Sequence, residues 1–314
     1  MVVAACSGSI EATPSQGNGA GGQDHPTTMD AAAGARVGTG GSPERREAGA
    51  DARSSSAAEA GDARADAKTS IPDARRDAPS PSCNVTWPTA TATQSVSSTI
   101  RVSGTYDGMM ARFVGAGALG TSGQAENQDP IFQLSEGAIL KNVIIGNPAA
   151  DGVHCSGNCT LQNVWWEDVG EDAATLAGSN TSQVMTIDGG GARHAADKVF
   201  QHNGPGTMVI QNFYVEDFGK LYRSCGNCSN QFLRHVVIQD IVAVTPGSAL
   251  AGVNANYGDT ANFARLTLCD QSKRMTICQR YTGNNTGAEP PQIGSGADGT
   301  NCIYSGSDIT WLSP

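Results

Sequence analysis

From Met1 to Ser82 this chain has no leucine, phenylalanine, tryptophan or tyrosine, and its first aromatic residue is Trp87. A segment built of alanine, glycine, serine, proline, aspartate and arginine cannot bury enough apolar surface to offset the entropy of ordering its backbone. The absence argues against a folded domain and predicts a disordered linker over residues 1–82. Its imperfect repeats, Asp51-Ala-Arg, Asp62-Ala-Arg, Asp66-Ala-Lys and Asp73-Ala-Arg, lack the apolar face a docked helix needs. Val3-Ala-Ala-Cys6 resembles the end of a lipoprotein signal, although no apolar stretch precedes it. A lipid on Cys6 would turn the linker into a cell-surface tether with a reach of about 50 Å.

Aromatics and charge are scarce along the whole chain, at 5% and 16%, while 39 of the 314 residues are glycine. That balance favours a thin, turn-rich fold over a large helical bundle. No segment has the length needed to span a membrane. The net charge of −10 excludes a general affinity for nucleic acid. An acidic polymer is repelled too, unless local cations or a bound metal reverse the field at the site. No feature calls for a partner chain, and a monomer is expected.

Cysteine is present, and unevenly placed. Cys6 stands apart, and eight others fall between Cys83 and Cys302. An even number suggests disulfides and an oxidising, extracytoplasmic compartment. Local pairs Cys155–Cys159, Cys225–Cys228 and Cys269–Cys278 are expected, which leaves Cys83 to close on Cys302. Cys225-Gly-Asn-Cys228 lacks the strand–helix context of a redox motif and has no second such pair with which to hold zinc.

Residues 83–314 carry an internal echo. Asn163-Val-Trp-Trp-Glu-Asp-Val-Gly170 returns 49 residues later as Asn212-Phe-Tyr-Val-Glu-Asp-Phe-Gly219. Short apolar runs recur at half that distance, with no amphipathic helix between them. Several short strands per unit of about 20–25 residues, without crossover helices, is the pattern of a parallel β-helix. A β-sandwich predicts hairpins and no such period. In a β-helix, equivalent residues of successive coils lie about 4.8 Å apart and form columns. Asn142, Asn163 and Asn212 are one column, expected to be an amide ladder at a turn. Gly189-Gly-Gly191 is expected to be a turn between strands.

A second column is charged. Asp151, Asp172 and Asp197 fall at one-coil steps, with Glu171 beside Asp172; then come Lys198, Lys220 and Arg223. Like charges stacked so closely repel, and a cation among the acids relieves them. Several carboxylates on a turn-rich scaffold suit Ca²⁺, a hard ion that takes oxygen ligands. A plain salt-bridge ladder along one face is the simpler alternative. The repeated Glu167-Asp168 and Glu216-Asp217 read as structural because both copies keep them. His154, His202 and His235 read as turn or packing residues.

These runs are where a family becomes visible. Asp151-Gly-Val-His-Cys, Trp166-Glu-Asp-Val-Gly-Glu-Asp-Ala173, Asp197-Lys-Val-Phe-Gln-His-Asn-Gly204 and Phe218-Gly-Lys-Leu-Tyr-Arg-Ser-Cys-Gly-Asn-Cys228 resemble the pectate lyases of polysaccharide lyase family 3. The resemblance covers residues 83–314 and implies an all-β, right-handed parallel β-helix that is secreted and depends on calcium. Carried over by motif, the calcium ligands are Asp151, Glu171 and Asp172, with Asp197 adjoining, and the catalytic bases are Lys198, Lys220 and Arg223. Glu126 matches an acidic position and joins Lys220 and Arg223 among the substrate contacts. The implied reaction is β-elimination on α-1,4-polygalacturonate (pectate). Lys198, beside the ion and Lys220, is expected to have a depressed pKa suited to a base, and Arg223 to fork a substrate carboxylate or act as base itself. A pectin hydrolase, which needs two carboxylic acids flanking the bond, and a non-catalytic polysaccharide-binding β-helix are the rival readings.

Overall fold

A computed structural model describes residues 82–125 and 127–314. Cys6 and the linker expected up to Pro81 lie outside the described residues. The described chain winds into a parallel β-helix, in which each coil adds a strand to its predecessor in register. The sheet order starts at Thr93–Val96, passes through Thr105–Gly115, Ala138–Ile145, Cys159–Trp166, Val184–His202, Gly206–Ser224 and Arg234–Asn254, and ends beyond Thr260–Cys269. Among the described residues the only helical turns are three short 3-10 segments.

Stacking of like residues makes the core. Leu140, Leu161, Ile187, Ile210, Ile238 and Phe263 occupy one register position on six successive coils. Five of the six are fully buried, and Phe263 nearly so. Each such side chain contributes about 1.5–3 kcal/mol by leaving water. Trp166, Phe200 and Phe213 add an aromatic cluster, with ring centres 5.2–6.3 Å apart.

The strands differ from expectation in length. Val184–His202 and Gly206–Ser224 each run 19 residues, and Arg234–Asn254 runs 21. They turn corners without breaking. A left-handed residue at one register position bends each coil: Asn142 (φ 53°), Asn163 (54°), Gly189 (74°), Asn212 (53°), Asp240 (55°) and Arg265 (52°). Asparagine tolerates that conformation better than most side chains, which explains the asparagine column. The amide ladder exists as well, since Asn163 Nδ2 donates to Asn142 Oδ1 at 2.9 Å and Asn142 Nδ2 to Asp107 Oδ1 at 3.0 Å. The glycine run is one of these bends inside a strand, and not a turn between strands.

Four disulfides close the described chain. Cys155–Cys159 and Cys225–Cys228 pair as expected. The other two correct the reading: Cys83 joins Cys269, and Cys278 joins Cys302. Nearness in sequence misleads in a solenoid. Cys269 ends a strand that pairs with Val244 on one face, whereas Cys278 pairs with Ala251 on another. The Cys83–Cys269 bond ties residues 82–88 across the outside of the helix. There Trp87 packs edge-on to Trp165 at 5.1 Å, and Arg193 lies 4.2 Å from its ring.

Candidate active site

One sheet carries Val153–Cys155, Ala174–Leu176, the ends of the three long strands, and Thr276–Tyr281. Val153, Ala174, Phe200 and Tyr222 share one register position. Two residues earlier stand Asp151, Asp172, Lys198 and Lys220, so the charged column runs acid, acid, base, base. Gly152 makes the acid end possible. Its φ of +49° favours glycine, and any β-carbon there would collide with the Ala173 carbonyl of the next coil.

Asp197 does not take the place expected for it. Between Ala195–Phe218 and Lys198–Lys220 the register shifts by one residue. This bulge sets two residues, Ala196 and Asp197, against Gly219 alone. Lys198 therefore aligns with Asp172, and the Asp197 side chain is 52% exposed.

Asp151, Glu171 and Asp172 converge at the acid end, with one carboxylate oxygen of each within 4.8 Å of the others, and all three are buried. Asp151 Oδ2 lies 2.7 Å from His154 Nε2, and Thr175 Oγ1 donates to Asp172 Oδ2 at 3.3 Å. Asp151 Oδ1 and Asp172 Oδ1 are buried and, among the described residues, have no hydrogen-bond partner. Burial pushes the Asp172 carboxyl well above the usual carboxylate range, and Asp151 in the same direction despite its histidine. A buried set of oxygen donors, two of them unsatisfied, fits a hard divalent cation.

The base end opens into a cleft of about 360 Å³ lined by Lys198, Lys220, Arg223, Asp197, Gln201 and Glu289, among others. Lys198 Nζ lies 3.1 Å from Glu171 Oε1, 3.1 Å from Asp197 Oδ2 and 3.9 Å from Asp172 Oδ1. Lys220 Nζ lies 4.0 Å from Asp197 Oδ1. Without a cation beside it, the pKa of Lys198 runs opposite to the direction expected with one. Burial pulls it down, but Asp172, Glu171 and Asp197 outweigh burial and hold the ammonium above its ordinary range. Arg223 is the opposite case, since burial lowers its pKa and its hydrogen-bond acceptors are neutral.

Glu126 lies outside the described residues. Glu167 and Glu216 sit on another face with Arg112, Tyr214 and Arg193. Sequence reasoning missed His154 as the partner of Asp151, and it missed Asn254, Tyr281 and Glu289 around Arg223. The three-residue spacing of Asp151 and His154 was a usable signal. For the other three, only the coil register leads to Arg223.

Fold and site together define a parallel β-helix with a buried cluster of three carboxylates beside a cleft of three cationic side chains, which suits an anionic polymer. A family model described as pectate lyase matches residues 84–287. Pectate lyase E of Emericella nidulans is 47% identical over 220 residues, covering 69% of this chain and 84% of its own. Pectate lyase H of the same organism is 48% identical over 202 residues, covering 64% of this chain and 75% of its own. Among solved structures, pectate lyase PelI from Erwinia chrysanthemi in complex with tetragalacturonic acid aligns with a TM-score of 0.58 and 34% identity, over 69% of this chain and 70% of that one. The chain belongs to the pectate lyase family.

Proposed function

We propose that this enzyme, a pectate lyase, cleaves α-1,4-polygalacturonate by β-elimination with Ca²⁺ held by Asp151, Glu171 and Asp172. The carrying observation is the pair of unsatisfied buried oxygens, Asp151 Oδ1 and Asp172 Oδ1, in register with the base column. The chemistry such an ion supplies is charge neutralisation, both of a substrate carboxylate, which acidifies the neighbouring C5–H, and of the acids that keep Lys198 protonated.

Arg223 and Lys220 bind uronate carboxylates, the former through its planar fork. Lys198 in its neutral form takes the C5 proton. The electrons of the C5–H bond become the C4–C5 double bond, and the C4–O4 bond breaks with its pair going to the departing oxygen, which water protonates. Lys198 suits the base role better than Arg223, because a guanidinium is hard to deprotonate even when buried. Asp151, Glu171 and Asp172 cluster together, Asp197 is engaged by Lys198 and Lys220, and three cations dominate the cleft, which favours elimination over the paired-carboxylate chemistry of a hydrolase. Asp197 bridges Lys198 and Lys220 and offsets their repulsion. Four disulfides suit action outside the cytoplasm.

The test is incubation with polygalacturonate while following the ultraviolet absorbance of the unsaturated product, with and without EDTA. Product that forms only when calcium is present supports the reading. An undiminished rate in EDTA removes the ion from it, and reducing ends without absorbance would mean hydrolysis.

A further inference from the structure

Among the described residues, three arginines lie across a glycine of a neighbouring strand or coil. A β-carbon on Gly146 would stand 2.8 Å from Arg112 Cδ, one on Gly294 2.7 Å from Arg280 Nη2, and one on Gly252 2.9 Å from Arg223 Cδ. Each missing side chain lets an arginine reach past its neighbour. Arg112 lands on Glu167, with Nε and Nη2 donating to the two carboxylate oxygens at 2.6 and 2.7 Å. Arg280 lands on Asp298 at 2.7 Å. Arg223 lands on a ring instead, its Cζ 4.0 Å from the centre of Tyr281.

The hydrogen-bond acceptors of Arg223 are neutral too, and Asp259 and Glu289 make no ion pair with it among the described residues. Nη1 donates to Asn254 Oδ1 at 3.1 Å and to the Gly252 carbonyl at 3.3 Å, and a β-carbon on Gly226 would overlap Nη2. Tyr281 is itself held, since its hydroxyl donates to Gln279 Oε1 at 2.6 Å and its strand pairs Asn254 with Tyr281. A ring face attracts a guanidinium through its quadrupole without cancelling the charge, as a carboxylate would.

We infer that Tyr281 is a positioning residue for Arg223: it fixes the guanidinium in the place where a structural acid would neutralise it, and so leaves the charge available to a uronate carboxylate. This rests on the reading of Arg223 as a substrate contact. A fork fixed in advance loses less freedom per bond formed to the ligand.

The experiment is a double-mutant cycle on the whole chain, reading kcat and KM on polygalacturonate at saturating calcium, with the thermal midpoint of each variant alongside. Tyr281→Leu removes the ring and lowers kcat/KM about tenfold, the size of a desolvated cation–π contact. Tyr281→Phe keeps the ring and retains most of kcat/KM. In an Arg223→Ala background, Tyr281→Leu costs nothing further. If the two losses multiply, or if Phe is as damaging as Leu, the positioning role is overturned while the reading of Arg223 stands. If Arg223→Ala alone leaves kcat/KM unchanged, both fall. Should Tyr281→Leu fail to fold, Tyr281→Phe and Tyr281→Trp in the same cycle carry the test. Retained activity in both, lost equally once Arg223 is replaced, supports the role, and a Phe variant that fails overturns it.

Discussion

Two charged rows run along this β-helix, and they are built on opposite plans. On the outer face, Arg112 pairs with Glu167, Arg193 lies near Glu216, His194 meets Asp217 and Arg265 meets Asp240. Each of these charges finds an opposite partner within the protein. In the site column the signs are segregated: Asp151 and Asp172 are neighbours, then Lys198 and Lys220, with Asp197 bulged out beside the two lysines. Among the described residues, segregation leaves two acid oxygens without a hydrogen bond at one end and Arg223 without an ion pair at the other, its ring and hydrogen-bond partners being neutral. A self-neutralised row stabilises modestly and does nothing else. A segregated row costs stability, which a cation at one end and an anion at the other would relieve.

The sharpest way to break that comparison is at the junction. Lys198→Arg keeps the positive charge and the contact with Glu171, but removes a group that can lose its proton. We expect kcat to fall by about 10²–10⁴, the range of general-base contributions. Steady-state kinetics on polygalacturonate measures it. Turnover kept by Lys198→Arg and lost by Arg223→Lys would move the base to Arg223 and leave Lys198 an electrostatic helper.

The acid end comes next. Asp172→Asn keeps shape and removes charge, so the calcium concentration for half-maximal activity rises at least about tenfold. An unchanged calcium dependence would detach the nest from the metal. The variant also isolates a pH effect. Burial raises the folded pKa of Asp172 above its usual 3.8, so in the calcium-free protein the folded state holds a proton that the unfolded chain has released. Stability from this group is therefore lost as pH rises from the unfolded value through the raised folded one. The thermal midpoint of Asp172→Asn without calcium gains on the wild type as pH rises toward neutrality, and a constant difference would contradict the burial argument.

The outer row sets the scale for charges that have only a structural role. Glu167→Gln breaks a bidentate pair whose side chains are 33% and 22% exposed. The expected loss is about 1 kcal/mol or less, with kcat and KM unchanged. Chemical denaturation and the lyase assay together test this, and a fall in activity would mean that the two rows communicate.

Much of this contrast was legible in the sequence, because a solenoid writes its columns at one-coil intervals. The asparagine echo located the bends, and the apolar runs located the stacks. What failed has physical causes. The bulge opposite Gly219 adds a residue that spacing alone cannot reveal, and so Asp197 was read into the acid column. Cys269 and Cys278 are near in sequence but on different faces. The direction of the Lys198 pKa depends on three acids outweighing burial, a balance set by distance. Tyr281 belongs to the site through Gly252, whose significance is that it lacks a side chain.

The smallest expected effect falls on Glu289, an acid on the wall of the cleft proposed for the polyanion. It is exposed, and its loop is pinned where Asn284 N donates to the Gly226 carbonyl at 2.7 Å and Thr282 N to the Pro291 carbonyl at 3.0 Å. Among the described residues it makes no ion pair, unlike the outer-row acids, and its charge reaches Arg223 and the space in front of it. Glu289→Gln removes repulsion toward a uronate near Arg223 and leaves the reacting groups alone. KM for polygalacturonate should fall about two- to threefold at low ionic strength, with kcat unchanged, because the two charges meet through a high dielectric. The gain should vanish at about 1 M salt, where the screening length is roughly 3 Å. A KM unchanged at low salt would place Glu289 beyond reach of the substrate. A gain that persists in salt would mean that the carboxylate blocks the cleft by its bulk, and the charge argument would then apply only to Lys198, Lys220 and Arg223.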